Sequence, residues 1–183
     1  MRSLCAHWFV QHPLLNEDGL DRLEQLLGRC ARAGIERVVL PFLEAGEIRD
    51  VERAGELLAR ALELCERSGV ELSVESTLEP ERLAALVERL AHPLLGVNYD
   101  SGSTDAGDIE VLGPWIRGVH LKDRDEAGKN VPLGEGSVDF SAVLGSLASA
   151  GYSGDLVLET PRPRPGEEVA AARRAVAFVE RLR

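Results

Sequence analysis

Four short apolar runs in this chain each end on a side chain that can bind a metal ion or transfer a proton. Glu75 ends Glu-Leu-Ser-Val-Glu, Asp100 ends Leu-Gly-Val-Asn-Tyr-Asp, His120 ends Ile-Arg-Gly-Val-His, and Glu159 ends Asp-Leu-Val-Leu-Glu. The runs alternate with segments of helical period, which is typical of parallel strands joined by helices. Because the carboxyl ends of parallel strands share one edge, the pattern predicts that these four side chains converge there.

The alternation of strands and helices extends through the whole chain. A loose repeat supports it, since a helix, a glycine and an apolar strand ending in Glu follow one another at Gly34, Gly69 and Gly151. Glycine just after a helix provides the left-handed residue that ends it. The predicted strands span residues 4–10, 37–40, 71–75, 95–100, 115–121 and 155–159, and the predicted helices span 18–33, 48–68, 80–90, 108–112, 140–150 and 167–182.

Six strand–helix units predict an α/β fold with a parallel sheet and right-handed crossovers. An open nucleotide-binding sheet typically carries a Gly-rich turn after its first strand, and the sequence shows none there. We therefore predict an incomplete (β/α) TIM-type barrel of about six units. With 183 residues, the chain suits a single domain, residues 1–183, rather than two.

Charge and composition restrict the classes of partner. A formal net charge of −10 argues against nucleic acid or an anionic membrane surface. The cysteines Cys5, Cys30 and Cys65 show no Cys-x-x-Cys spacing, which favours inert thiols in a reducing cytoplasm. No signal peptide and no apolar run of transmembrane length is visible. We expect a cytoplasmic protein that acts on a small molecule.

Three carboxylates and one imidazole form a ligand set for a divalent cation. Carboxylate oxygens suit Mg²⁺ and Mn²⁺, and an imidazole shifts the preference toward Mn²⁺, Co²⁺ or Zn²⁺. A single Glu after a strand is more often a helix cap or a solvated charge. The coincidence of four such residues at strand ends favours a shared metal site.

Two segments carry a resemblance to a known family. Val-His-Leu-Lys-Asp-Arg at 119–124, with Val-Pro-Leu-Gly-Glu-Gly-Ser-Val-Asp-Phe at 131–140, resembles the seventh unit of the xylose isomerase-like barrels. The likeness is to their sugar phosphate isomerase/epimerase branch in particular. Gly-Tyr-Ser-Gly-Asp-Leu-Val-Leu-Glu at 151–159 resembles the last strand of that family, and residues 3–9 and 38–42 resemble two earlier strands.

The resemblance implies a function and a site. Glu75, Asp100, His120 and Glu159 would bind one divalent metal ion (Mn²⁺, Co²⁺, Mg²⁺ or Zn²⁺), and Glu75 and Glu159 would also transfer protons. The chain would be a metal-dependent sugar or sugar-phosphate isomerase or epimerase that works through an enediolate intermediate. Epimerisation requires two carboxylates on opposite faces of one carbon, whereas isomerisation moves a proton between neighbouring carbons.

The chain also departs from the family pattern. The family barrel has eight units and the likeness begins near the third, so the chain is expected to lack the first two. It would then be a fragment, a mis-started reading frame, or a barrel completed by a second copy that covers the open strand edges. His7 replaces a frequent Asp, and Ser103 replaces a frequent second His.

Further residues are candidates for substrate contact: Glu44, His7, Lys122 and Arg124. The long polar loop 122–138 suits a lid, and its basic residues suit a substrate phosphate, because barrel phosphate sites often use the last two loops. Plainer interpretations are a cap for the helix near Ile48 (Glu44), a loop histidine (His7) and solvated charge (Lys122 and Arg124).

Several alternatives stay open on the sequence. A catalytically inactive or partner-completed barrel fragment is the main one. A dehydratase or a hydroxypyruvate isomerase would use the same four residues. A relative of the abasic-site endonucleases would need a His-rich multi-zinc site and a basic groove, which four His residues and the net charge of −10 oppose.

Overall fold

The computed structural model describes residues 2–14 and 17–182. Within them the strands are β1 (Ser3–Cys5), β2 (Arg37–Phe42), β3 (Glu71–Ser76), β4 (Leu95–Asp100), β5 (Ile116–Leu121), β6 (Asp123–Arg124), β7 (Asn130–Val131) and β8 (Leu156–Leu158). The α-helices are α1 (Trp8–Gln11), α2 (Glu17–Ala33), α3 (Val51–Ser68), α4 (Pro80–Leu90), α5 (Ile109–Leu112), α6 (Phe140–Ser149) and α7 (Glu168–Glu180). Short 3₁₀ helices occupy Glu44–Gly46, Ala106–Asp108 and Gly113–Trp115.

The main sheet has the strand order β1-β2-β3-β4-β5-β8, and its paired strands run parallel. Each strand therefore lies beside the one that precedes it in this sheet. A doubly wound sheet instead reverses its strand order at a switch point. The sequential order confirms the prediction of an incomplete α/β barrel with six parallel strands.

The chain divides into two compact units. The first comprises the described residues up to Asn98, together with Trp115–Arg117. Its helix α2 buries side chains spaced three or four residues apart, as an amphipathic helix does. These residues are Leu20, Leu23, Leu27 and Cys30. The strands β2 and β3 contribute fully buried residues to the same unit, among them Leu40 and Leu72.

The second unit comprises Tyr99–Pro114 and the described residues from Gly118 onward. Its core includes Ile109, Leu121 and Val143, all buried. Phe140, the first residue of α6, contacts Phe178 of α7 edge to face, with 5.4 Å between ring centroids. Among residues 2–14 and 17–182, none of the helices combines the length and the apolar character needed to cross a membrane.

One prediction about the first strand is wrong. The sequence suggested a strand over residues 4–10, but β1 ends at Cys5 and the chain turns into the one-turn helix α1. Phe9 and Val10 are both buried although they are adjacent, and their backbone N–H groups bond to residues three positions earlier. A strand would point such neighbours to opposite faces. The continuous apolar run therefore marks a helical turn.

The second strand is longer than predicted, because it continues through Pro41 to Phe42. Proline lacks the N–H group that a strand between two neighbours needs. The pairing of β1 with β2 ends at Val39, so β2 has no β1 partner in register with Pro41. The strand can therefore extend without losing a ladder hydrogen bond on that side.

The start of α3 offers a local test of this description. The side chain of Asp50 accepts a hydrogen bond of 2.9 Å from the backbone N–H of Arg53, which caps the helix. We expect Asp50→Ala to lower the free energy of unfolding by about 1 kcal/mol. Urea denaturation measures the change. Asp50→Asn keeps an acceptor and should unfold like the wild type, whereas an equal loss in both variants would contradict the capping role.

Candidate functional site

All four strand-end residues lie where the sequence pattern predicts. Glu75 is the penultimate residue of β3 and Asp100 is the last residue of β4. His120 is the penultimate residue of β5, and Glu159 directly follows β8. The backbone N–H of Glu159 still donates to the carbonyl oxygen of Leu121, so its position is tied to the end of β5.

Glu75 lies on the polar side of β3. Leu72 and Val74 are fully buried, and the alternation of a strand places Ser73 and Glu75 on the opposite face. The neighbouring Asn98 donates a hydrogen bond of 2.8 Å from Nδ2 to Oε2 of Glu75. Glu75 is only 5% exposed, so this bond orients a buried carboxylate.

Asp100, His120, Lys122 and Glu159 form a compact charged cluster. The ammonium of Lys122 lies 2.7 Å from Oδ2 of Asp100 and 3.1 Å from Oε1 of Glu159. Nδ1 of His120 lies 3.4 Å from Oε2 of Glu159, which is long for a hydrogen bond. Asp100, His120 and Lys122 are buried, whereas the side chain of Glu159 is 45% exposed.

The cluster shifts the pKa of two of its members. The pKa of Glu159 is lowered to about 2, chiefly by His120 and further by Lys122, with burial opposing the change. Burial alone would lower the pKa of Lys122, but the charge and hydrogen bonds of Asp100 and Glu159 outweigh it, so the net pKa is raised. At neutral pH, Glu159 is therefore a carboxylate and Lys122 an ammonium.

Two buried ligands of the second unit come close enough to share a metal ion. One ligand atom of Asp100 and one of His120 lie within 4.8 Å of each other. A carboxylate and an imidazole fit Mn²⁺, Co²⁺ or Zn²⁺ by ligand type. Glu159, also a predicted ligand, contacts His120 and Lys122. These residues could thus hold a divalent ion.

The family model described as "xylose isomerase-like TIM barrel" matches residues 5–182. The chain belongs to the xylose isomerase-like TIM-barrel family. Among curated relatives, L-ribulose-5-phosphate 3-epimerase UlaE from Escherichia coli is 29% identical over 198 residues, covering 93% of this chain and 69% of that protein.

Solved structures of xylose isomerase-like proteins share the fold. A xylose isomerase domain protein from Planctomyces limnophilus matches with a TM-score of 0.76 at 20% identity, covering 91% of this chain. This chain spans 64% of that protein's length. The IOLI protein, solved with a bound zinc atom, matches with a TM-score of 0.77 at 18% identity, covering 98% of this chain and 74% of that one.

The loop 122–138, predicted as a polar lid, is a structured hairpin in this member of the family. Its strands β6 and β7 pair antiparallel. Asp123 is completely buried, and its carboxylate accepts hydrogen bonds from backbone N–H groups across the loop. The donors are Arg124, Gly134, Gly136 and Val138, at 2.9, 2.8, 2.9 and 3.2 Å.

The candidate substrate residues lie in different environments. Lys122 is buried and contacts two carboxylates, so it is not a solvated charge, and its contact with a substrate phosphate stays a prediction. Arg124 lines a polar cavity of about 530 Å³ together with Ser103 and Ser137. His7 is exposed at the start of α1. Glu44 is exposed in a 3₁₀ helix, and Asp50 rather than Glu44 caps α3.

Sequence reasoning missed two residues that shape the site. Asn98 orients Glu75, and Ser101 accepts from the backbone N–H of Lys122 and donates to its carbonyl oxygen, at 2.9 and 2.7 Å. The alternation of a strand could have identified Asn98, because it lies two residues before Asp100 on the same face of β4. The contacts of Ser101 depend on how two loops meet, which no local pattern predicts.

Proposed function

We propose that the chain is a divalent metal-dependent sugar or sugar-phosphate isomerase or epimerase. The carrying observation is the buried pair of Asp100 and His120 in the second unit, with Glu159, which we propose as a further ligand, in contact with His120. The names of its relatives support the same reaction class, since UlaE is an L-ribulose-5-phosphate 3-epimerase. Another structural neighbour is a D-psicose 3-epimerase solved with D-tagatose.

The proposed mechanism is proton transfer at the carbon beside a ketose carbonyl. A bound divalent ion would stabilise negative charge on the substrate oxygens. Glu159 is a carboxylate at neutral pH and would accept the proton, although its pKa of about 2 makes it a weak base while it contacts His120 and Lys122. Glu75, oriented by Asn98, would act as a carboxylic acid and give its proton to the same carbon. Delivery from the opposite face gives epimerisation.

Substrate selection is assigned to the polar cavity that begins directly after Asp100. Ser103, Thr104, Ser137 and Arg124 line it, and hydroxyls with a guanidinium suit a sugar hydroxyl or a phosphate. Nε of Arg124 is buried and makes no hydrogen bond within the described part of the chain. We propose that the guanidinium of Arg124, which lines this cavity, binds a substrate oxygen.

Metal binding provides the first experimental test. We expect His120→Ala to abolish Mn²⁺ binding in isothermal titration calorimetry, because an imidazole ligand is lost. His92→Ala is a matched control, since His92 bonds to Glu66 and not to the site, and it should bind Mn²⁺ like the wild type. Absence of Mn²⁺ binding by the wild type, or equal binding by both variants, would refute the proposal.

Turnover provides the second test. L-ribulose 5-phosphate incubated with the protein and Mn²⁺ in D₂O should gain deuterium at the epimerised carbon, which proton NMR detects. Exchange that requires Mn²⁺ and disappears in His120→Ala would support proton transfer at this site. Metal binding without exchange on any ketose would favour the alternative of an inactive or partner-completed barrel fragment.

A further inference from the structure

Lys122 joins two of the proposed metal ligands through its ammonium group. Nζ contacts Oδ2 of Asp100 and Oε1 of Glu159 at the same time. Building on the proposed metal site, we propose that Lys122 is a positioning residue that keeps these two carboxylates together in the ion-free protein and competes with the ion for them. It would thereby set the affinity of the site for a divalent cation.

The lysine is constrained along its whole length. Its backbone N–H and carbonyl oxygen both bond to Oγ of Ser101. A Cβ atom at Gly102 would come within 2.8 Å of Cδ of Lys122, so that backbone packs tightly against the lysine stem. The same Gly102 donates its N–H to the other oxygen of Asp100, at 2.8 Å. Lys122 is 8% exposed, so its ammonium is confined beside the two carboxylates.

The charges of the site show why the lysine opposes ion binding. Asp100 and Glu159 supply two negative charges in contact with the ammonium of Lys122. The ammonium therefore neutralises one of these two charges before an ion arrives. Two like charges only a few ångströms apart in a buried site repel each other strongly, so the ion binds more weakly beside the ammonium.

A lysine at position 122 is better suited than an arginine to release the carboxylates of Asp100 and Glu159. Lys122 and Lys129 are the two lysines among 21 basic residues, and the others are arginines. A guanidinium is planar and binds carboxylates in a fixed fork, whereas an ammonium on a flexible stem can turn away. The ammonium of Lys122 has three N–H donors, and it contacts the carboxylates of Asp100 and Glu159. It can therefore release one carboxylate at a time when a cation binds the oxygens of that carboxylate.

Calorimetry with Mn²⁺ tests this competition. In Lys122→Met, which removes the charge and keeps the stem, we expect the Kd for Mn²⁺ to fall by about tenfold. The melting temperature of the ion-free variant should fall below that of the wild type, and Mn²⁺ should raise it more. Lys129→Met removes an exposed lysine in the same loop and should change neither quantity.

The outcomes separate this inference from the proposed function. An unchanged or weaker Mn²⁺ affinity in Lys122→Met, with normal binding by the wild type, would overturn the competition and leave the proposed metal site intact. Wild-type protein that binds no Mn²⁺ would overturn the metal site itself.

Nitrogen-15 labelling of lysine tests the same contact without any substitution. The chain should give two side-chain ammonium signals, and that of buried Lys122 should exchange slowly with water in the ion-free protein. Diamagnetic Zn²⁺ should shift the Lys122 signal and accelerate its exchange, and leave the Lys129 signal unchanged. Two signals that both exchange rapidly before Zn²⁺ is added, or that do not respond to it, would overturn the inference.

Discussion

Glu159→Gln is expected to slow proton exchange at the carbon beside a ketose carbonyl by about 10²–10⁴-fold. The carboxamide has nearly the same size as the carboxylate and can still accept a hydrogen bond from Lys122, but it cannot take up the substrate proton. Deuterium incorporation from D₂O, followed by NMR at saturating Mn²⁺, measures the rate. Saturation matters because the same change removes a proposed ligand.

Glu180→Gln serves as the matched control for this measurement. Glu180 is exposed at the end of α7, and the same carboxylate-to-carboxamide change there should leave the exchange rate at the wild-type value. If Glu159→Gln kept more than about a tenth of the wild-type rate, Glu159 would not be the proton acceptor.

Asp123→Ala is expected to lower the free energy of unfolding by about 3 kcal/mol or more. The change removes the shared acceptor of four backbone N–H groups and leaves them around a buried cavity. Gly136 packs directly against this carboxylate, so that a Cβ atom added at Gly136 would overlap Oδ1 of Asp123. Urea denaturation measures the loss, and faster protease cleavage within residues 124–138 should accompany it.

Asp125→Ala is the control for that prediction, with the same substitution in the same loop. Asp125 accepts from the backbone N–H groups of Ala127 and Lys129 at an exposed turn, where water can replace it. We expect Asp125→Ala to lower the free energy of unfolding by less than about 1 kcal/mol. Equal losses in the two variants would show that burial of the acceptor does not determine the stability of the loop.

Much of the fold could be predicted because its determinants are local. The strand at Leu95–Asp100 and the helix at Pro80–Leu90 have the bounds that the pattern predicts. Apolar period, a proline in the first helical turn and glycine after helices act within a few residues of the elements they define. The strand-end positions of Asp100 and His120 follow from the same patterns.

The rest of the site depends on contacts between distant segments. The Lys122 side chain contacts Asp100 and Glu159 at two other strand ends, and no local pattern in the sequence predicts these two contacts. The four N–H groups around Asp123 converge only when the hairpin closes. The predicted first strand is too long because an apolar pair such as Phe9 and Val10 occurs both in strands and in helical turns. Apolar content alone does not distinguish the two.

The two faces of β3 have separate tasks. Leu72 and Val74 are fully buried on one face, while Ser73 and Glu75 occupy the other. A substitution at Leu72 or Val74 therefore disturbs the apolar packing of the first unit, whereas a substitution at Glu75 acts on its hydrogen bond with Asn98. Damage to the fold and damage to the polar face of one short strand can thus be told apart by which of its alternate residues is changed.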